Sequence, residues 1–294
     1  AEAQRVVEAA RSRPGVTEVV VAGELRRHLE LVREVVVVAA CAGDPGAAAA
    51  ALAHAPEIEA ATGAGTRELA LRYSDGLRAR VHCVAPAEFG VTVLRATGSA
   101  AHLRALEARA RQRGWVLTDT ELRDAAAHIV HTPTEADVYA ALGLPFIPPE
   151  LRETGDEVGA VVPSLVTLAD LRGVLHCHSH FSDGAGSIAE LAREAQRRGW
   201  SYLGVTDHSQ SARMAGGLSA DDVRRQHDEI DAVNAGGPGV RILKGVEADI
   251  LPCGRVDYPE AVLDRFDFVI ASVHTRMGMN EAQMTTRVLK ALED

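Results

Sequence analysis

Four short segments in the second half of the 294-residue chain end in side chains that bind metal ions. The first reads Leu175-His176-Cys177-His178-Ser179-His180 and runs on to Ser182-Asp183-Gly184. The second ends Thr206-Asp207-His208, the third carries Gly245-Val246-Glu247-Ala248-Asp249, and the fourth ends Ser272-Val273-His274. Residues i and i+2 of an extended chain face the same way, roughly 7 Å apart, so His176 and His178 are expected to aim at one centre. A lone histidine at a strand end is an ordinary surface or hydrogen-bonded residue. Four such ends in series point to metal. Imidazole mixed with carboxylate suits zinc, manganese or iron better than magnesium or calcium alone. So many ligands imply two or more ions, an arrangement that activates water and clamps a phosphoryl group. Asp207 and Asp249 read as partners that orient ligands. His180 belongs to the rim, and Cys177, facing away from its neighbours, to the core.

The elements that must place these residues follow a strand–helix rhythm. Strands are expected over Gly173–His178, Tyr202–Asp207, Val240–Ile250 and Phe268–His274. Helices are expected over Ile188–Arg198, Ala220–Asn234 and Asn280–Glu293. Such alternation implies parallel strands joined by right-handed crossovers, in a barrel or an open sheet. The carboxyl ends of those strands share one face, where active sites gather. The first third also alternates: helix over 2–12, strand over Val16–Ala22, a buried apolar strand over Glu34–Cys41 and helix in the Ala47–Ala51 run. Leu69–Tyr73 and Leu77–Val84 flank a Ser74-Asp75-Gly76 turn, and a helix over Ala101–Arg113 follows the Thr97-Gly98-Ser99 start signal. Pro145, Pro148 and Pro149 with the polar stretch to Gly159 mark a boundary. The fold class is α/β.

Composition narrows the function classes. Acidic residues outnumber basic ones, 41 to 31, for a formal charge of −10. Proteins built to grip nucleic-acid phosphates usually present a basic surface. Here such contact would need a local patch or bound cations. No apolar run is long enough to span a membrane. The first residues lack a signal-peptide core, and the four cysteines (Cys41, Cys83, Cys177, Cys253) form no CxxC. A cytoplasmic, monomeric protein is the expectation.

Residues 170–294 resemble the PHP (polymerase and histidinol phosphatase) domain, in the version appended to bacterial family X DNA polymerases. The resemblance rests on DLRGVLHCHSHFSDGAGSIAELAREAQRRGW, YLGVTDHS, ILKGVEADIL, VDYPEAVLDRFD and FVIASVHT. It implies a distorted TIM-like barrel and a ligand set of His176, His178, Asp183, His208, Glu247 and His274, with Glu247 bridging ions. It also implies a manganese-favouring 3′–5′ exonuclease, with 3′-phosphatase or abasic-site cleavage as variants. The family's last ligand motifs would fall beyond residue 294, so the barrel is expected to be partial and the chain a piece of a longer protein.

Residues 1–150 are similar to the palm and thumb of the same polymerases, through Gly23-Glu24-Leu25-Arg26-Arg27, Ser74-Asp75-Gly76-Leu77, Thr97-Gly98-Ser99 with His102, and Glu135 to Pro145. The implied boundaries are a nucleotidyltransferase-like palm over 1–105, a thumb and linker over 106–163, and the PHP part over 164–294. The palm chemistry does not follow from the resemblance. Three carboxylates should hold two ions there, yet the matching positions carry Glu34, Val36 and Arg80. Glu24 stands where a serine should meet the triphosphate. Arg95-Ala96 replaces an aromatic pair, and Leu103 an asparagine. Nucleotide transfer is therefore not expected. Arg26 and Arg27, with Arg78 and Arg104, are candidate contacts to DNA phosphates.

Three functions stand side by side. The first is a metal-dependent phosphoesterase on DNA 3′ ends, gapped or single-stranded, in a repair protein with a silent palm. The second is a histidinol-phosphatase-like small-molecule phosphatase. The third is a non-catalytic DNA-binding scaffold.

Overall fold

The computed structural model describes residues 2–237 and 239–293, and the chain divides between Ser164 and Leu165 into two compact units. In the N-terminal unit, α1 (Glu2–Arg11), β1 (Val16–Ala22), the single turn α2 (Gly23–Arg26), β2 (Val35–Cys41) and α3 (Pro45–Ala53) come first. They are followed by β3 (Ile58–Thr62), β4 (Glu68–Tyr73) and β5 (Arg78–Val84). These strands form one sheet in the order β1-β2-β5-β4-β3, mixed because β2 and β5 run parallel while the other pairs are antiparallel.

The apolar run Val-Val-Val-Val-Ala-Ala-Cys becomes the central strand β2, buried at every position. A strand covered on both faces needs no alternation. Val35, Val37, Ala39 and Cys41 meet α1 and α3, while Val36, Val38 and Ala40 meet Phe89 and Val93 on the other side. That second cover is α4 (Phe89–Thr97), whose valines and threonines read in isolation as strand. Then come α5 (Ala100–Gln112), capped by the Ser99 hydroxyl, the short strands β6 (Val116–Leu117), β7 (Leu122–Arg123) and β8 (Ile129–Val130), and α6 (Glu135–Ala141). Leu94, Leu106, Leu122, Tyr139 and Leu142 close a separate core between them.

The C-terminal unit alternates β9 (Gly173–Val174), α7 (Ile188–Arg197), β10 (Tyr202–Val205), α8 (Ala220–Ala235), β11 (Arg241–Asp249), the turn α9 (Glu260–Leu263), β12 (Phe268–Ser272) and α10 (Glu281–Ala291). Its strands are all parallel, in the order β12-β11-β10-β9. Among the described residues this sheet has four strands and is open. They do not close a barrel; the expectation from the resemblance is a partial one. Ile188, Ala192 and Ala195 of α7 and Ile230 of α8 pack on Leu203, Val205 and Ile242. Gly204 and Gly245 are required by packing: a Cβ on either would come within 2.6 or 2.5 Å of the Phe268 ring. Capping boxes start α7 at Ser187/Glu190, α8 at Ser219/Asp222 and α10 at Asn280/Gln283. No described helix is long and apolar enough to cross a membrane.

Candidate metal centre

The carboxyl ends of the four parallel strands place His176, His178, Asp183, His208, Glu247 and His274 together. The ladder pairing of β9 stops at Val174, four residues short of the expected strand. Cys177 is nevertheless tied to the end of β10: its backbone N–H donates to the Thr206 hydroxyl and its carbonyl accepts from the Thr206 N–H. That clamp fixes the flanking residues, and the rings of His176 and His178 stack with centroids 5.3 Å apart. Next to them the Glu247 N–H donates to the Asp207 carbonyl and the Ser209 N–H to the Glu247 carbonyl, which sets His208 beside Glu247.

Glu247 is the hub. Its Oε2 lies 3.3 Å from His176 Nε2, 3.3 Å from His178 Nε2 and 3.2 Å from His208 Nδ1, and its Oε1 lies 3.2 Å from His274 Nε2. Asp183 sits on the far side of two of these rings, 3.0 Å from His178 Nδ1 and 3.6 Å from His208 Nε2. Three overlapping triads result, each with its ligand atoms within 4.8 Å of one another: His176/His178/Glu247, His178/Asp183/His208 and His208/Glu247/His274. Burial alone would raise the Glu247 carboxyl, but the Ser272 hydroxyl, 2.8 Å away, and the imidazoles of His176 and His208 hold it below the ordinary carboxylate range. Burial likewise opposes ionisation of Asp183, and His178 and His208 reverse it, leaving that carboxyl lowered too.

The donor set fits divalent cations. His178 Nδ1 and His208 Nδ1 are buried and, among the described residues, have no hydrogen-bond partner, because their approaches to Asp183 and Glu247 lack hydrogen-bond geometry. Orphaned imidazole nitrogens of this kind are costly unless something fills them. Among the described residues, Asp183, Asp207, Glu247, Asp249 and Asp257 crowd this end of the sheet without a Lys or Arg ion-pair partner.

The two expected orienting acids differ. Asp249 Oδ1 accepts from His274 Nδ1 at 2.5 Å and Oδ2 from the Ser211 hydroxyl, so it fixes the imidazole through its outer nitrogen. Asp207 touches no imidazole. It accepts from Ser179 N–H, the Ser179 and Ser182 hydroxyls and Gln226 Nε2, and so holds the His178–Asp183 loop rather than a ring. Gln226, on α8, had no signal in the sequence. His180 lies outside the triads, half exposed and 3.9 Å from Glu229. Cys177 packs at the edge of the core.

The palm-like positions also converge. Val36 and Arg80 are register partners on β2 and β5, and with Glu34, Glu68, His82 and Arg95 they line a cavity of about 550 Å³. Arg80 reaches Glu34 at 2.9 Å and Glu68 at 2.5 Å. Glu24 is paired with Arg33. Arg26 and Arg27, read from sequence as contacts to DNA, are engaged inside the unit instead. Arg26 bridges Glu135 and the Thr97 hydroxyl, and Arg27 bridges Glu153 and the Thr97 carbonyl. Both are largely covered, so their charge is neutralised internally.

A parallel α/β unit with imidazoles and carboxylates gathered at its strand ends is built to hold divalent cations. Residues 92–153 match the DNA polymerase beta thumb family, and residues 175–293 match the PHP domain. The chain is 37% identical over 278 residues to the DNA polymerase/3′-5′ exonuclease PolX of Bacillus subtilis, covering 92% of this chain and 48% of that protein. It is 39% identical over 108 residues to a probable phosphatase of Caldanaerobacter subterraneus, covering 35% of this chain and 40% of the relative. A probable phosphatase of Syntrophotalea carbinolica is 36% identical over 125 residues, covering 41% and 49%. Along most of its length the chain is thus similar to a family X DNA polymerase that carries a PHP domain. It spans about half the length of the curated relatives it matches.

Proposed function

We propose that the C-terminal unit is a metal-dependent phosphoesterase acting on DNA 3′ ends, as a 3′–5′ exonuclease with 3′-phosphatase or abasic-site cleavage as variants. The observation that carries this reading is the Glu247 carboxylate surrounded by four imidazoles, two of which keep an orphaned buried nitrogen. His176, His178, Asp183, His208, Glu247 and His274 would hold two or more ions, manganese first, with zinc or iron as alternatives. Bound there, the ions supply water activation and charge neutralisation at phosphorus. The chain's own residues supply the frame. Ser272 and the imidazoles keep Glu247 ionised, Asp249 keeps Nε2 of His274 free to face inward, and Asp207 fixes the loop bearing His178 and Asp183. Asp183 and His176, both about half exposed, form the open side through which a phosphate enters.

DNA is favoured as substrate by the thumb-like N-terminal match and by similarity to PolX along most of this chain. We divide the chain into a palm-like part over 1–105, a thumb-like part over 106–163 and the PHP part over 164–294. The palm is proposed to be silent: Val36 offers no ligand, and Arg80 already occupies Glu34 and Glu68 with a fixed cation. A small-molecule phosphatase is the second reading, supported by the probable phosphatases that match the C-terminal unit alone. The test is 5′-labelled primer–template DNA incubated with Mn²⁺ and all four dNTPs, beside p-nitrophenyl phosphate. Shortening of the primer that disappears in His176→Ala is expected. Extension would overturn the silent palm, and turnover of the monoester alone would select the second reading.

A further inference from the structure

Helix α10 is unusual in what it buries. An amphipathic surface helix normally turns apolar residues inward, yet the one fully buried side chain of α10 is Arg287. Val288, Leu289 and Leu292 near it are exposed. Arg287 is 2% exposed and is the only fully buried Lys or Arg of the C-terminal unit among the described residues. A buried guanidinium is costly unless its donors are satisfied, and among the described residues this one has no carboxylate partner. Its partners there are backbone carbonyls. Nε lies 2.9 Å from the Ile250 carbonyl and 3.1 Å from that of Leu251, Nη2 also donates to Ile250, and Nη1 lies 2.8 Å from the Thr275 carbonyl.

Those carbonyls have a common address. Ile250 follows Asp249 directly, and Thr275 follows His274 directly. One planar fork therefore ties the exit of β11 to the exit of β12, one residue beyond the hydrogen-bonded Asp249–His274 pair. Lysine could not reproduce this, since it lacks the rigid fork.

We infer that Arg287 is a positioning residue for the proposed metal centre: by clamping the 250–251 and 275 carbonyls it sets the distance between Asp249 and His274, and through them the His208/Glu247/His274 triad. The inference rests on the metal reading of that site. It also gives the site a buried positive charge behind its acids, held off the ligands themselves.

The experiment uses the full chain stripped of metal with a chelator and titrated with Co²⁺, following the visible ligand-field absorption and the bound ion by equilibrium dialysis. Arg287→Met, Arg287→Lys and a control on the same helix, Met284→Ala, are compared, each with its metal-free melting curve. Arg287→Met is expected to bind Co²⁺ about 10- to 100-fold more weakly with an altered spectrum, and Arg287→Lys to recover only part of the affinity. If Arg287→Met does not fold, Arg287→Lys carries the test, with a weakened affinity and altered spectrum expected. Wild-type affinity and spectrum in a folded Arg287 variant would overturn the inference. So would a loss matched by Met284→Ala at equal metal-free stability, which would leave Arg287 a purely structural role. A wild-type chain that takes up no Co²⁺ would instead refute the metal reading, and this inference would fall with it.

Discussion

Replacing Glu247 by Gln keeps the size and the Ser272 contact of the hub and removes its charge. Glu247 belongs to two of the three ligand triads, so only His178/Asp183/His208 would keep all its ligands. Loss of an outer partner alone weakens metal binding about 10- to 100-fold. Loss of a carboxylate facing four imidazoles is expected to cost at least the upper end of that range. Metal that binds only the folded state stabilises by about 2.7 kcal/mol when present at about 100 times its dissociation constant. For a unit of this size, intermediate between the benchmark classes, each kcal/mol moves the melting point by about 4 °C. The wild-type C-terminal transition should therefore rise by about 11 °C on adding Mn²⁺ at that excess. The same Mn²⁺ concentration would only match the weakened dissociation constant of Glu247→Gln, leaving about 0.4 kcal/mol and a shift below about 2 °C. The assay is a pair of thermal melts, with chelator and with Mn²⁺. Equal Mn²⁺ stabilisation of wild type and Glu247→Gln would refute the assignment of Glu247 as the hub ligand.

Burial, with Lys244 and Arg265 nearby, pushes the His227 imidazole down from 6.5 to about 4 against the opposing pull of Asp231 and Asp267. Because the unfolded chain takes up this proton first, its stabilisation is complete above about pH 6.5 and fades toward pH 4, up to about 3 kcal/mol in all. His227→Gln should flatten that part of the stability–pH curve relative to wild type, and parallel curves would contradict the argument. Glu135→Gln leaves the Arg26 and Arg152 guanidiniums, 2.6 and 2.5 Å from the carboxylate, without their shared partner. It should destabilise the N-terminal unit by about 3–5 kcal/mol in denaturant melts. With a thiol reagent, Cys253, exposed and lowered by Arg255, should react first. Cys83, buried and pushed up to about 12, should react only on unfolding.

Much of the scaffold was legible because its signals are local. Seven consecutive apolar residues made β2 unmistakable, the Ser74-Asp75-Gly76 turn paired β4 with β5, and the strand–helix alternation placed α7 and α8. Helix α4 was hidden because Phe-Gly-Val-Thr-Val has strand propensity, and packing across β2 overrode it. The candidate ligand histidines were legible as residue types at strand ends, and the six expected positions converge in space. What escaped was anything set by long-range hydrogen bonding. The span from Asp207 to Gln226, the reach of Arg287 to residue 250, and the internal pairing of Arg26 and Arg27 leave no periodicity in the chain. Asp207 shows the limit well: its neighbour His208 suggested an orienting role, but its oxygens turn to serines and a glutamine.

The bridge from Arg80 to Glu34 and Glu68 also has a consequence for substitution at this end of the sheet. Arg80 sits between two carboxylates and balances their charge, so a change at position 36 or 80 acts on that trio as well as on the site itself. Arg80→Asp alone would gather three like charges on adjacent strands, and Val36→Asp alone would add an acid to a nearly covered position beside a guanidinium already committed elsewhere. The ion pair therefore couples three positions of the sheet: a carboxylate installed at 36 or 80 meets Glu34 and Glu68 at once, not an isolated site.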